Sequence, residues 1–281
     1  MTLTPRQVRE LLSEHGLSPS RALGQNFVAD PNTVRRIARL AEVGPGDRVV
    51  EVGPGLGSLT LALAETGASV TAVELDRHLL PALRSVVEPH GVRVVQGDAM
   101  RLDWSALLGE EGGSGGSAAS GEWSLVANLP YNIATPLVLD LLAGVPAIER
   151  MLVMVQREVG ERLAAHPGER AYGIPSVKVA YRATAEVVGR VPATVFIPPP
   201  RVESVLVRLR RLPEPPVEAD PAALFRLVEA GFGQRRKMLR RSLAGLVDPA
   251  AFERAGVRPE ARAEELSLQD WARLASSDVE R

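Results

Sequence analysis

The chain has no cysteine. Disulfides, thiolate metal centres and cysteine nucleophiles are therefore excluded. Histidine is scarce. His15, His78, His90 and His166 are scattered without metal-ligand spacing, so no metal is expected. No apolar run approaches membrane-spanning length, and the opening Met1-Thr2-Leu3-Thr4-Pro5-Arg6 is not a signal peptide. The expectation is a cytoplasmic protein without membrane contact. Excess charge is missing as well: the formal net charge is −1, so bulk charge announces no polyanion partner.

What the chain does have is length and a strand–helix rhythm. Its 281 residues suit one large domain and a small one. Residues 5–15 read as a helix with Thr4 as N-cap and Gly16 as its stop, and Pro31 starts a helix over 31–41. Apolar strands are then predicted at 48–52, 69–74, 92–96, 124–127 and 151–156, separated by helices. This alternation implies an α/β fold with a doubly wound, mostly parallel sheet, completed by strands at 181–188 and 205–209. Residues 109–121 are Gly/Ser/Ala-rich and read as a flexible insertion. Pro213-Glu214-Pro215-Pro216 reads as a linker, and 221–281 looks entirely helical. The expected domains are 1–212, with an N-terminal segment over 1–30, and a small all-helical domain over 213–281.

Two motifs carry chemistry. The first is Glu51-Val52-Gly53-Pro54-Gly55-Leu56-Gly57, a glycine turn between strand and helix that aims backbone N–H groups at a ligand. A dinucleotide fingerprint wants its third glycine at position 58, which is Ser58, so the turn suits a smaller ligand than NAD. Glu51, Glu74 and Asp98 stand at successive strand ends and line one crevice. Glu74 suits ribose hydroxyls, Asp98 an adenine amino group, and the negative charge a cationic sulfonium. These features point to S-adenosylmethionine.

The second motif is Asn128-Leu129-Pro130-Tyr131-Asn132, at the end of the fourth strand. The Asn128 side-chain oxygen and the Pro130 carbonyl can each accept an N6–H of adenine. That draws a conjugated amine toward tetrahedral geometry and stabilises the charge developing on it. Tyr131 can stack on the base. The absent cysteine agrees, because attack through a base carbon needs a thiolate.

With these motifs in place, further segments follow in order. They are Leu23-Gly24-Gln25-Asn26-Phe27-Val28-Ala29-Asp30, Val73-Glu74-Leu75-Asp76, Gly97-Asp98-Ala99-Met100, Phe196-Ile197-Pro198-Pro199-Pro200-Arg201-Val202-Glu203-Ser204 and Phe232-Gly233-Gln234-Arg235-Arg236-Lys237. Over nearly its whole length the chain resembles the ribosomal RNA adenine N6,N6-dimethyltransferase family, most of all its small-subunit members linked to kasugamycin sensitivity. Val28 stands where that family often has leucine.

The resemblance implies a Rossmann-like, class I methyltransferase fold. It places the cofactor against Gln25, Asn26, Val28, Gly53, Gly55, Glu74, Leu75, Asp98, Ala99 and Asn128. The target base would meet Asn128, Pro130 and Tyr131, with Phe196 opposing Tyr131. The implied substrate is a pair of adjacent adenosines in a hairpin near the 3′ end of 16S rRNA, in an assembling small subunit. Arg235, Arg236, Lys237, Arg240 and Arg241, read as a helix with Met238, Leu239 and Leu243 buried, would grip RNA. Nothing demands more than a monomer. The rivals are a large-subunit adenine methyltransferase of the macrolide-resistance type, a non-catalytic RNA-binding assembly factor, and an NAD-dependent oxidoreductase.

Overall fold

The computed structural model describes residues 2–20, 23–109 and 122–277. The Gly/Ser-rich stretch lies outside the described residues except for Gly109, which ends the helix Trp104–Gly109. The chain forms two compact units, residues 1–160 with 186–210, and residues 161–185 with 211–281.

The first unit is built on strands β1 (Phe27–Val28), β2 (Arg48–Val52), β3 (Ser69–Glu74), β4 (Arg93–Gln96), β5 (Trp123–Asn128), β6 (Ile148–Gln156), β7 (Ala183–Val191, from Glu186 onward), β8 (Phe196–Ile197) and β9 (Ser204–Arg211, up to Arg210). The main sheet runs β4-β3-β2-β5-β6-β9-β7. The pairs β2–β3, β2–β5, β3–β4 and β5–β6 are parallel, and β9 returns antiparallel to β6. The α/β, mostly parallel sheet expected from the sequence is what forms. Val49, Val50, Ala72, Val73, Leu125 and Val126 are at most 1% exposed. Strands this apolar must be covered on both faces, which is why helices alternate with them.

The chain leaves β2 toward β3 and β4, then crosses back to place β5 on the other side of β2. This reversal opens a crevice at the C-terminal strand ends, where open α/β sheets bind ligands. The glycine turn bends the chain out of β2. Gly57 has φ +87°, and a Cβ there would lie 2.5 Å from Val87, so only glycine lets the turn seat against helix Leu80–Val87.

N-terminal to the sheet, Thr4 caps helix Pro5–Glu14 through a capping box with Gln7, and Asp30 caps Pro31–Leu40 by accepting from Thr33 N–H at 2.8 Å. Phe27 and Val28 pair antiparallel with Ile197 and Phe196.

The second unit holds helices Arg157–Leu163 from Glu161 onward, Ile174–Ala180, Pro221–Gly233, Leu239–Ser242, Pro249–Arg254 and Leu268–Ser277. Its core gathers Tyr172, Leu224, Val228, Leu243, Phe252 and Trp271. Residues 161–185 lie before the domain boundary placed at 212 by composition, yet they pack into this unit. Tyr181, expected to open a strand, instead follows helix Ile174–Ala180 and meets Phe225 edge-on with centroids 5.3 Å apart; β7 starts at Ala183. No helix among the described residues is long and apolar enough to cross a membrane.

Candidate active site

A cavity of about 230 Å³ opens at the crevice, lined by the ends of β2 to β5 and by residues 23–28. Gln25, Asn26, Val28, Gly53, Gly55, Glu74, Leu75, Asp98, Ala99, Asn128 and Pro130 all line it. The structure thus brings together every residue expected at the cofactor. Gly55 has φ +60°, and a Cβ there would press to 2.7 Å from the Phe27 ring, so segment 23–28 closes down on the turn only because glycine stands there.

Glu74 is buried. Its two oxygens accept from Gly55 N–H at 3.1 Å and Asp76 N–H at 2.9 Å. Each oxygen keeps a lone pair for a ligand hydroxyl. Burial pushes its carboxyl up, against those backbone bonds. Glu51 is more extreme. It is 1% exposed, and burial pushes its carboxyl up to about 8, opposed by the Thr60 hydroxyl and reinforced by the Glu74 charge. The sequence suggested a negatively charged acid here. In the cofactor-free protein the protonated form dominates at neutral pH, because among the described residues no cation offsets the lost hydration.

Glu51 Oε2 and Ser58 Oγ are buried without a hydrogen-bond partner among the described residues, and both residues line the cavity. Such orphaned polar atoms are costly unless a ligand completes them. A cationic amino-acid moiety fits this demand. Farther along, Leu75 is 51% exposed and lines the same cavity as Asp98, whose Oδ1 accepts from Met100 N–H at 3.0 Å. An apolar face next to a carboxylate fits an adenine. The residues present therefore match the parts of S-adenosylmethionine.

At the other wall, Asn128 ends β5. Its Nδ2 donates to the Asn26 carbonyl at 3.1 Å. Only the NH2 end of an amide can make that bond, so Oδ1 is the end left over as an acceptor. The Pro130 carbonyl accepts from Ile133 N–H at 3.1 Å and keeps its second lone pair. Tyr131, half-buried, does not line this cavity; its hydroxyl shares a 2.9 Å hydrogen bond with Ser204 Oγ, which anchors the ring to the start of β9.

The chain matches the family described as ribosomal RNA adenine dimethylase over residues 17–277. It belongs to that family. It is 49% identical over 97% of its length to ribosomal RNA small subunit methyltransferase A of Thermobifida fusca, covering 95% of that protein. The protein of the same name from Kineococcus radiotolerans is 48% identical, with 98% of this chain and 91% of that one aligned. Among solved structures, the crystal structure of 23S rRNA methyltransferase ErmE superposes with a TM-score of 0.68 at 29% identity, covering 90% of this chain and 99% of that one. A dimethyladenosine transferase from Plasmodium falciparum superposes at 0.71 with 21% identity, over 88% and 95% of the two chains, a likeness of fold. This chain is therefore an α/β rRNA adenine methyltransferase.

Two expectations for the dimethylase need revision. Phe196 does not face the cavity. It is 2% exposed, packed in the core of the first unit, with its backbone paired to Val28. In this conformation it buttresses segment 27–28, and a sandwich with Tyr131 is not formed. The basic run also differs. Arg235, Arg236 and Lys237 lie in the turn after Pro221–Gly233, and Met238 is 40% exposed with extended backbone before Leu239–Ser242. Only Leu239 and Leu243 of the expected stripe are buried.

The five cations also part ways. Arg235 pairs with Glu264 at 2.5 Å and donates to the Arg170 carbonyl at 2.9 Å, and Arg240 pairs with Glu260 at 3.3 Å. Arg236, Lys237 and Arg241 are exposed and have no ion pair among the described residues.

Sequence reasoning assigned no role to Ser204, Asp76 or Trp104. The Trp104 indole N–H donates to the Ala99 carbonyl at 3.1 Å and fixes the loop after β4. Ser204 and Asp76 lie inside recognisable motifs, but nothing local marks their partners.

Proposed function

We propose that this chain transfers methyl groups from S-adenosylmethionine to N6 of two adjacent adenosines in a hairpin near the 3′ end of 16S rRNA, within an assembling small subunit. The observation that carries the reading is the Asn128 amide, whose nitrogen is committed to Asn26 so that its oxygen is left to accept. Its relatives named as small-subunit methyltransferases favour that target over the large subunit.

Bound S-adenosylmethionine supplies an electrophilic methyl on a sulfonium. The protein's own part is to hold and polarise the amine. Asn128 Oδ1 and the Pro130 carbonyl accept the two N6–H groups and aim the nitrogen lone pair. The same dipoles stabilise positive charge as it develops on nitrogen. No strong base is needed, since the alkylated ammonium sheds its proton readily. Tyr131, braced by Ser204, offers one face for the base. Gly53, Glu74, Leu75, Asp98 and Ala99 hold the cofactor. Arg236, Lys237 and Arg241 supply unpaired cations for RNA phosphates. The working form is a cytoplasmic monomer.

Incubating the protein with undermethylated small subunits and labelled cofactor, then mapping the labelled nucleotides, tests the reading. Label at two neighbouring adenosines near the 3′ end supports it. Label on large-subunit RNA alone would transfer the activity to the macrolide-resistance type, and RNA binding without label would make the chain an assembly factor.

A further inference from the structure

We propose that Gln25 is a positioning residue for methyl transfer, acting through Asn26 to fix which end of the Asn128 amide faces the target base. The proposal rests on the reading of Asn128 Oδ1 as the acceptor of N6–H.

The Gln25 side chain is spent on the protein. Its Oε1 accepts from Ser20 N–H at 2.7 Å, and its Nε2 donates to Asp76 Oδ2 at 2.8 Å. Its main-chain N–H donates to the Ser20 carbonyl at 3.0 Å. A cofactor contact through this amide would compete with these bonds. Gln25 instead ties segment 23–28 to the loop after β3. Asp76 is itself held there. Its Oδ1 accepts from His78 N–H at 3.0 Å, and its own N–H donates to Glu74 Oε1 at 2.9 Å.

One residue on, the Asn26 carbonyl receives Asn128 Nδ2, and the Asn26 side chain donates to the Gly24 carbonyl at 3.2 Å. A bonded path therefore runs from the Glu74 carboxylate through Asp76 and Gln25 to Asn26 and Asn128. Among the described residues, the Asn26 carbonyl is the one partner that holds the Asn128 NH2. If that carbonyl moves, the amide is free to rotate half a turn about the Asn128 Cβ–Cγ bond, a soft twofold torsion. The NH2 would then face the adenine amine, donor against donor, and the acceptor would be lost. The consequence falls on the reacting geometry more than on cofactor affinity.

The test uses Gln25→Glu, alone and combined with Asp76→Asn, in the full chain. The single change keeps an acceptor for Ser20 but sets carboxylate against carboxylate at position 76. The paired change restores a donor–acceptor pair with its direction reversed: the new amide at 76 donates to the new carboxylate at 25. The readouts are kcat on undermethylated small subunits at saturating cofactor, and the equilibrium Kd for S-adenosylhomocysteine.

Gln25→Glu is expected to lower kcat by about tenfold or more, as misplacement of a reacting group does, with Kd changed by less than about threefold. The paired variant should recover most of the lost kcat. The idea is overturned by a Gln25→Glu kcat within about twofold of wild type, by a loss lying wholly in cofactor Kd, or by a paired variant no better than the single one. Should Gln25→Glu unfold, Gln25→Ala gives the same kcat-against-Kd comparison. Wild-type protein that binds cofactor but labels no small-subunit RNA would count against the substrate reading instead. The comparison is then made on whichever rRNA it does methylate.

Discussion

The side chain of Asn128 is held by the main chain of Asn26, 102 residues earlier, through one 3.1 Å hydrogen bond. Two motifs far apart in sequence thus share one atom pair, and the direction of that bond makes Asn128 an acceptor toward the cavity. Asn128→Ala removes the acceptor. Loss of a preorganised dipole at a reacting centre costs about 10²–10³ in rate. The expected result is a kcat down by at least about 100-fold, with RNA affinity and Tm close to wild type. Substantial residual transfer would show that Pro130 alone seats the amine.

Tyr131 separates stacking from anchoring. Tyr131→Phe keeps the ring and loses only the bond to Ser204 Oγ. A neutral hydrogen bond contributes about 1 kcal/mol, so kcat/KM should fall only a few-fold. Tyr131→Ala removes the face itself, and base–aromatic stacking is worth about 1–3 kcal/mol. The loss should appear in kcat/KM for RNA and leave cofactor Kd unmoved. Equal effects from the two changes would mean that the hydroxyl, not the ring, matters.

The basic run divides by its partners. Arg236, Lys237 and Arg241 are unpaired among the described residues, whereas Arg235 bridges to Glu264 and the Arg170 carbonyl. Replacing the three unpaired cations with Ala should weaken small-subunit binding. It should also flatten the log Kd against log salt plot by about 0.7–0.9 for each phosphate that is no longer neutralised. Arg235→Ala should lower Tm and leave the salt slope nearly alone. A triple variant with an unchanged slope would return these side chains to a solvated surface.

The sequence made the catalytic core legible where local pattern and topology agree. β2 and β3 begin and end at the expected residues, because buried valine runs end in a glycine turn at one and an acid at the other. The strand-end residues then converge for a reason of topology: parallel strands point their C-terminal ends the same way. What stayed hidden depends on partners distant in sequence. Nothing around Phe196 signals that pairing with Val28 buries it. Nothing around Tyr181 says that Phe225 draws it into the helical unit. Arg235 to Lys237 have a helical composition, but the helix already ends at Gly233, and they form the turn that leads to the extended backbone of Met238. Glu51 looked like its neighbour acids, yet it is as buried as Glu74 without the backbone N–H bonds that Glu74 accepts.

That burial has a measurable consequence. The Glu51 carboxyl sits at about 8 in the fold, against an ordinary value of 4.5. Between those two pH values the unfolded chain has released a proton that the folded chain retains. Stability must then fall as pH rises through this window, by at most about 1.4 kcal/mol per pH unit from this group. The direction is opposite to that of a salt-bridged carboxylate, whose contribution grows with pH. Glu74, also pushed up by burial, adds in the same sense. Glu51→Gln removes the larger of the two contributions without changing the side chain's size. Cofactor-free wild type should lose Tm steadily from pH 5 to pH 8, and Glu51→Gln should show a flatter profile and a higher Tm at the alkaline end. Parallel profiles for the two proteins would mean that Glu51 is already ionised in the cofactor-free protein, stabilised by water or by movement of the turn.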